Sequence, residues 1–386
     1  MVETHILQLG LDEDVFDIDA AQDSRLRQIG YADYIREKCG KNHLTNIVLT
    51  SRQDLSVEEL PGITLLPVNK VRLRQLFSLM YQLWKVHRIK PVNVITTQDV
   101  HGPFWAAVLF SFVFRIPCIG QIHYDLASEY ARNEWFVRPY GKYYEKLVLH
   151  LLHLFNGIRV VNTDTENYLH HNGYKGHICT CPVPVSKFPL ATTDESCSWS
   201  KEGALRVIYV GRFVGFKNLD CWIETAKIAL SVNRNIEFVL LGDGPDHHRI
   251  QSLCTQYGLS DNIRFMGATK PEKLAEWYSS ADIILLTSIY EGFGRVIIEA
   301  MNYGVVPICS NVAGPNDIIQ NGVTGILEEA VPTKLASHIV KLEKLRGSLE
   351  AMSEAAKYDV NEKFNSESLK RKWLDLVISF TPCKNS

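Results

Sequence analysis

The segment Glu291-Gly-Phe-Gly-Arg-Val-Ile-Ile-Glu299 sets one carboxylate before a tight Gly-x-Gly turn and a second inside the helix that follows. The preceding run Asp282-Ile-Ile-Leu-Leu-Thr287 is apolar and too short for a helix, so it reads as a buried parallel strand. Strand, glycine turn and helix together build an anion site. Glycine lets the backbone approach a ligand closely. The helix start offers N–H groups at the positive end of its dipole, which suits a phosphate. Two carboxylates flanking such a site can grip hydroxyl groups on either side of it, the layout of a sugar joined through a diphosphate to a nucleoside.

A second strand end adds cations. Arg206–Val210 runs into Gly211-Arg212-Phe-Val-Gly215-Phe-Lys217-Asn218. Arg212 offers a fixed fork of donors and Lys217 a mobile point charge. In isolation the two read as a solvated surface pair; their place at a strand end favours phosphate binding. Plainer readings attach to the other candidates. Glu299 lies four residues after Arg295 and could be half of a helix-surface pair worth a few tenths of a kcal/mol. Glu291 could be a loop carboxylate near a helix dipole. Gly242-Asp243-Gly244-Pro245 reads as a turn starting a helix, with proline near the first position. The backbone of Arg264-Phe265-Met266-Gly267 could read a base edge or be only core.

The elements that must position these groups alternate strand and helix, which implies parallel sheets covered by helices. Predicted strands in the first half are His5–Gly10, Asn46–Thr50, Val92–Thr97, Pro117–Ile122 and Ile158–Val161. Helices fall at Asp23–Cys39, Leu73–Arg88, Phe104–Phe114 and much of Pro139–Phe155. Pro182, Pro184 and Pro189 then lead into a stretch poor in core residues, the best linker. Strands resume at Arg206–Val210, Ile236–Leu241, Asn262–Phe265, Ile283–Thr287, Val305–Cys309 and Thr324–Leu327. The pattern predicts two doubly wound α/β domains, with the ligand in the cleft between them at the carboxyl ends of both sheets. A last helix near Ser366–Phe380 is not placed by pattern alone.

Composition sets the class. At 386 residues the chain has room for two or three domains, and a net charge of −2 argues against a general nucleic-acid binder. The nine cysteines, Cys179 and Cys181 among them, form no Cys-x-x-Cys pair, which favours a reducing compartment and incidental thiols over zinc. No basic-plus-apolar leader opens the sequence, and no run reaches the roughly 18 apolar residues of a membrane span.

Gly211-Arg212-x4-Lys217, Gly242-Asp-Gly-Pro, Phe265-Met-Gly267 and Glu291-Gly-Phe-Gly-x4-Glu299-Ala-Met in combination resemble glycosyltransferase family 4, retaining enzymes of the GT-B fold. Tyr303-Gly-Val-Val-Pro307, Gly314-Pro-Asn-Asp-Ile-Ile and Asn321-Gly-Val-Thr-Gly325 extend the resemblance over nearly all of residues 204–330. It implies two Rossmann-like domains, residues 1–188 and 204–362, joined by a linker at 189–203. A C-terminal helix within 363–386 would cross back onto the first domain. It also implies roles. Arg212 and Lys217 would hold the donor diphosphate, and the backbone of Gly211, Gly292, Phe293 and Gly294 would approach sugar or phosphates. Glu291 would bind sugar hydroxyls and Glu299 the ribose. Arg264, Phe265 and Met266 are placed near the base. The departing diphosphate would help take the acceptor proton on the same face.

The first domain matches more loosely. His123, in Ile122-His-Tyr-Asp125 after a strand, stands where the family often has a histidine near the donor sugar. Asp99 and His101, at another strand end, are acceptor-side candidates, with Asp99 equally a turn or cap residue. Where many relatives have a glycine-rich loop after the first strand, this chain runs Leu11-Asp-Glu-Asp-Val-Phe-Asp-Ile-Asp19. Asp17-x-Asp19 is formally the metal signature of a different glycosyltransferase fold, in the wrong context; it reads as an acidic loop, and neither metal nor cofactor is expected. Residues 69–90 carry six basic and no acidic side chains among apolar ones. They form either an amphipathic face for an anionic membrane surface or an ordinary helix with a basic solvent side. The expectation is a cytoplasmic hexosyltransferase, peripheral on the inner membrane face if that helix docks. It would use a nucleotide diphosphate sugar and a glycan or lipid-linked acceptor in polysaccharide or glycoconjugate biosynthesis. A sugar-nucleotide epimerase of the same fold and a non-catalytic binding subunit are the alternatives. A dehydrogenase lacks its Gly-x-Gly-x-x-Gly here.

Overall fold

Short apolar, β-branched runs form the strands of this chain, described by a computed structural model over residues 4–10, 12–16, 22–69, 75–98, 103–128, 141–184 and 203–382. Asp99, His101, Asp17, Asp19 and residues 189–202 of the linker lie outside the described residues. The chain divides into two compact units, residues 1–186 with 366–386, and residues 187–365.

In the first unit the strands are β1 (Thr4–Gly10), β2 (Asn42–Thr50), β3 (Glu58–Leu60), β4 (Ile63–Asn69), β5 (Val94–Thr97), β6 (Cys118–Ile122), β7 (Gly157–Val160) and β8 (His177–Thr180). They form one sheet in the order β3-β4-β2-β1-β5-β6-β7-β8, parallel except for the β3–β4 pair. Its helices are α1 (Gln22–Cys39), α2 (Gln75–Ile89), α3 (Pro103–Phe114), α4 (Gly141–Leu152) and α5 (Thr163–His171). Leu79, Leu83, Ala106, Phe110, Val148, Leu152 and Leu169, from α2 to α5, join Leu7, Leu9 and Ile95 of the sheet in one core. Strands β3, β4 and β8 and helix α5 were not evident from the sequence pattern. Pro67 inside β4 argues against a central strand by the usual rule, yet its position pairs with Val48 on β2, and β3 reaches only Ile63–Leu65 of β4, so beside Pro67 the other edge has no paired strand among the described residues. The start of α5 is fixed by Asn162, whose side-chain oxygen accepts from Thr165 N at 2.7 Å.

The second unit has a six-stranded parallel sheet: β9 (Leu205–Val210), β10 (Ile236–Leu241), β11 (Ile263–Gly267), β12 (Ile283–Leu286), β13 (Val306–Ser310) and β14 (Ile326–Glu328), in the order β11-β10-β9-β12-β13-β14. Around it lie α6 (Leu219–Val232), α7 (His247–Gln256), α8 (Pro271–Ser280), α9 (Arg295–Asn302), α10 (Ala313–Ile318), α11 (Pro332–Lys344) and α12 (Arg346–Lys363). Helix α7 begins at His247, so Pro245 precedes the helix rather than opening it. The last helix, α13 (Ser366–Ile378), belongs to the first unit. Asp375 accepts from Tyr34 OH at 2.7 Å, and buried Trp373 lies 5.0 Å from the Arg159 guanidinium.

Strand order reverses between β1 and β5 in one sheet and between β9 and β12 in the other. Ligands of doubly wound sheets bind outside the carboxyl ends of the strands at such points. Six cysteines are free thiols and buried. Cys39 is disulfide-bonded, which cysteine spacing did not indicate.

Candidate active site

The loops leaving β9 and β10 interlock. Gly211 N donates to Leu241 O at 3.0 Å, Gly242 N to Gly267 O at 2.9 Å, and Phe213 N to Asp243 O at 2.9 Å. Gly242 has φ 146°, and a Cβ there would stand 1.9 Å from Gly211 O, so the close approach of the two strand ends requires glycine. Phe213 is fully buried, stacked on His247 at 5.5 Å and edge-on to Phe265 at 6.4 Å. Tyr209 OH donates to Arg212 O at 3.0 Å and fixes the backbone there, leaving the Arg212 side chain exposed.

Across the switch point the β9 loop is latched to the end of β12. Thr287 Oγ1 donates to Asn218 O at 2.9 Å, and Ile289 N to Phe216 O at 2.8 Å. This latch brings together two residues 74 positions apart: Lys217 Nζ lies 2.5 Å from Glu291 Oε2, with side chains only 13% and 15% exposed. Ser288 Oγ donates to the same carboxylate oxygen at 3.4 Å. Burial raises the Tyr209 hydroxyl and the Cys309 thiol well above their ordinary pKa values, and the Glu291 charge adds to the rise in both.

Beyond Glu291 the chain turns through Gly292 and buried Phe293 into Gly294, whose φ of 94° lets it serve as the N-cap of α9. A glycine cap has no side-chain oxygen, so no cap side chain competes for the first N–H groups of the helix. One turn on, Glu299 is held from two sides. Arg295 Nη2 lies 3.7 Å from Oε1, the helix-surface pair expected from the spacing. Tyr278 OH donates to Oε2 at 3.2 Å. Tyr278 is itself buried and stacked on Tyr303 at 5.7 Å. Burial and then the Glu299 charge push its hydroxyl pKa well up, so it stays a donor. Sequence reasoning passed over both Tyr278 and Ser288. Ser288 adjoins the motif and was open to inspection; Tyr278 sits on α8 with no local signal linking it to α9. On edge strand β11, Arg264 and Met266 are exposed and Phe265 is half-buried.

In the first unit, His123 follows β6 and is half-buried. Burial first, then the Arg159 and Arg27 cations, lower its pKa from 6.5 to about 3, so the ring is neutral at ordinary pH. Arg159 is fully buried; it donates to Cys181 O at 2.7 Å, Gln121 Oε1 at 3.2 Å and Pro182 O at 2.5 Å. In the acidic loop after β1, Asp12 accepts from Ser24 Oγ at 2.7 Å and Arg27 Nη2 at 3.1 Å, tying the loop to the start of α1. Among the described residues no three His, Cys, Asp or Glu side chains gather to hold a metal ion.

Residues 195–359 match the family model for glycosyl transferases group 1. Over 165 residues the chain is 33% identical to the N-acetyl-alpha-D-glucosaminyl L-malate synthase of Bacillus anthracis, 42% of each chain being covered. The chain spans less than half the length of the curated relatives it first matches. Among solved structures it is similar to sucrose-phosphate synthase from Thermosynechococcus elongatus, with TM-score 0.77, 21% identity and coverage of 97% of this chain and 98% of that one. It is also similar to Anabaena HepE in complex with UDP and glucose, with TM-score 0.71, 15% identity and coverage of 97% and 100%. These likenesses establish the GT-B fold of two Rossmann-like domains, and the family match bears out the resemblance read from the motifs.

Proposed function

We propose that the protein is a retaining glycosyltransferase that moves a hexose-type sugar from a nucleotide diphosphate sugar to a glycan or lipid-linked glycan, in polysaccharide or glycoconjugate biosynthesis. The observation that carries this reading is the Lys217–Glu291 pair at the β9/β12 switch point, next to the glycine-capped start of α9. A cation at a helix start suits a diphosphate, and the carboxylate beside them suits the hydroxyls of an attached sugar. The family match over 195–359 supports the reaction class, and HepE, solved with UDP and glucose, makes UDP-glucose the first donor to try.

On donor binding Lys217 turns from Glu291 to the diphosphate, joined by exposed Arg212. Glu291 is then free to accept from sugar hydroxyls, and Glu299, held by Tyr278 and Arg295, accepts from the ribose hydroxyls. Met266 and Phe265 lie at the edge strand for the base. As the glycosidic C–O bond breaks, negative charge grows on the departing diphosphate, where Lys217 and Arg212 stabilise it. The leaving oxygen takes the acceptor proton on the face it vacates, so the anomeric configuration is kept without a protein nucleophile. Positioning and charge stabilisation carry the rate. Neutral His123 serves as a hydrogen-bonding group for the sugar rather than as a cation. Asp99 and His101 are proposed on the acceptor side. No metal or cofactor takes part in this scheme, and turnover is expected to persist in EDTA.

A calorimetric screen of UDP-, GDP- and other nucleotide sugars tests the reading. One nucleotide sugar should bind with affinity that Lys217→Gln weakens. Failure of every nucleotide sugar to bind, or indifference of the bound one to Lys217→Gln, would sink it.

A further inference from the structure

The first unit carries an exposed apolar surface made by residues that have no place in the candidate site. Helices α2 and α3 lie side by side, with the His87 ring 5.8 Å from Phe110 and 5.1 Å from Phe114. Their inner faces supply Leu79, Leu83, Ala106 and Phe110 to the core. Their outer faces are apolar as well. Phe77, Tyr81 and Trp84 recur at helical spacing along α2 and are 78%, 58% and 43% exposed. On α3, Leu109, Phe112 and Val113 also share one side and are 45%, 78% and 57% exposed. Scattered exposed apolar residues need no explanation, but adjoining helices that each show such a stripe mark an interaction site.

Charge on this face selects the occupant. Past its aromatic stripe α2 continues with Lys85 and Arg88, and Arg115 follows α3, all three exposed. No Asp or Glu occurs from Leu60 to Gln98, nor from Val100 to Tyr124. A second copy of this chain would bring the same positive charge against itself, which disfavours a self-paired interface. A bilayer with anionic headgroups meets both the apolar stripe and its one-signed rim. The Arg88 guanidinium lies 5.4 Å from the Trp84 ring, and Tyr81 and Trp84 stack at 6.1 Å. Amphipathic aromatics beside cations suit the headgroup level of a membrane. No helix among the described residues is long and apolar enough to cross a membrane, so the contact would be interfacial.

We propose that the outer faces of α2 and α3 form a platform that docks the protein on an anionic lipid bilayer. Phe77, Phe112 and Val113 enter the boundary of the acyl chains, and Lys85, Arg88 and Arg115 engage the headgroups. The proposal stands on the first unit alone and does not rest on the reading of the transfer reaction.

The test is flotation of the full chain, without nucleotide, on phosphatidylcholine vesicles with and without phosphatidylglycerol at a molar ratio of about 7:3. The protein should float with the anionic vesicles, stay behind with pure phosphatidylcholine, and be released by high salt. Lys85→Gln with Arg88→Gln should lower the partition coefficient about thirtyfold, each basic side chain at an anionic surface being worth about fivefold. Phe112→Ser should weaken flotation with no change of charge. All variants should keep the wild-type melting temperature. Three results would overturn the proposal: no flotation, equal flotation on both vesicles unaffected by the double substitution, or a dimer without vesicles that Phe112→Ser dissociates. None of these touches the nucleotide calorimetry, so the two readings fail separately.

Discussion

Glu291→Gln should tighten binding of the nucleoside diphosphate product while it cripples transfer from the nucleotide sugar. Lys217 Nζ sits 2.5 Å from Glu291 Oε2, and both side chains are mostly buried. A phosphate oxygen hydrogen-bonded to the same ammonium at about 2.8 Å comes to rest roughly 5 Å from that carboxylate oxygen. At an effective dielectric of about 20, a pair of unit negative charges at that distance repels by about 3 kcal/mol. Bending of the lysine stem and entry of water offset part of this. A net gain of about 1–2 kcal/mol remains when the carboxylate becomes an amide, roughly five- to thirtyfold in Kd. The sugar meanwhile loses hydrogen bonds to a charged acceptor, worth about 1.5–3 kcal/mol, so transfer should fall about 10- to 150-fold. Titration calorimetry with the diphosphate of the preferred base, beside steady-state turnover, reads both effects. Opposite signs are the signature. Diphosphate affinity that is unchanged or weaker in Glu291→Gln would refute the idea that donor phosphates and Glu291 compete for Lys217.

Tyr278→Phe removes the donor that holds Glu299 Oε2 at 3.2 Å and should cost nucleotide affinity about 0.5–1.5 kcal/mol, raising KM with kcat little changed; a matching fall in kcat would place Tyr278 in another role. Trp373→Ala empties a buried site under Arg159 and should destabilise the first unit by about 3–5 kcal/mol in urea titrations, with the second unit's transition unmoved. Buried His5 has its pKa lowered from 6.5 to about 4, mainly by burial. The fold therefore refuses a proton that the unfolded chain accepts, so this stability is full above 6.5 and is lost as pH falls towards 4. The loss should reach about 2 kcal/mol between pH 7 and pH 5, and His5→Gln should flatten that part of the urea-derived stability profile.

What was legible in the sequence was what is local in the chain. The segments Gly211–Lys217 and Glu291–Glu299 each hold their chemistry in one short stretch following a strand, so the order of residue types disclosed them. Their joining was not legible, because the Lys217–Glu291 pair depends on β9 and β12 being neighbours, a property of the sheet. Tyr278 was missed for the same reason, its partner lying on another helix. In the fold, β4 escaped notice through Pro67, and β8 through its mixed sequence His177-Ile-Cys-Thr180, which lacks an apolar run. The segment after β1 read only as an acidic loop, whereas Asp12 in it is committed to Ser24 and Arg27, partners that the order of residues does not reveal. Aromatic exposure on α3 had no sequence signature, since Pro103–Phe114 is apolar on every side and only the packing shows which side is covered.

The return of α13 to the first unit bears on the order in which a nascent chain can finish folding. Residues 187–365 intervene between the body of that unit and its last helix. At about 5–20 residues per second, their synthesis alone takes roughly 10–35 s. Through that interval the first unit lacks Trp373 over Arg159, and the Leu369 carbonyl that accepts from Cys181. Of the two units, the one that leaves the ribosome earlier is thus the later to be completed. A chaperone engaged on its uncovered face, or a stop codon just before Ser366, would act on the N-terminal unit from the far end of the message.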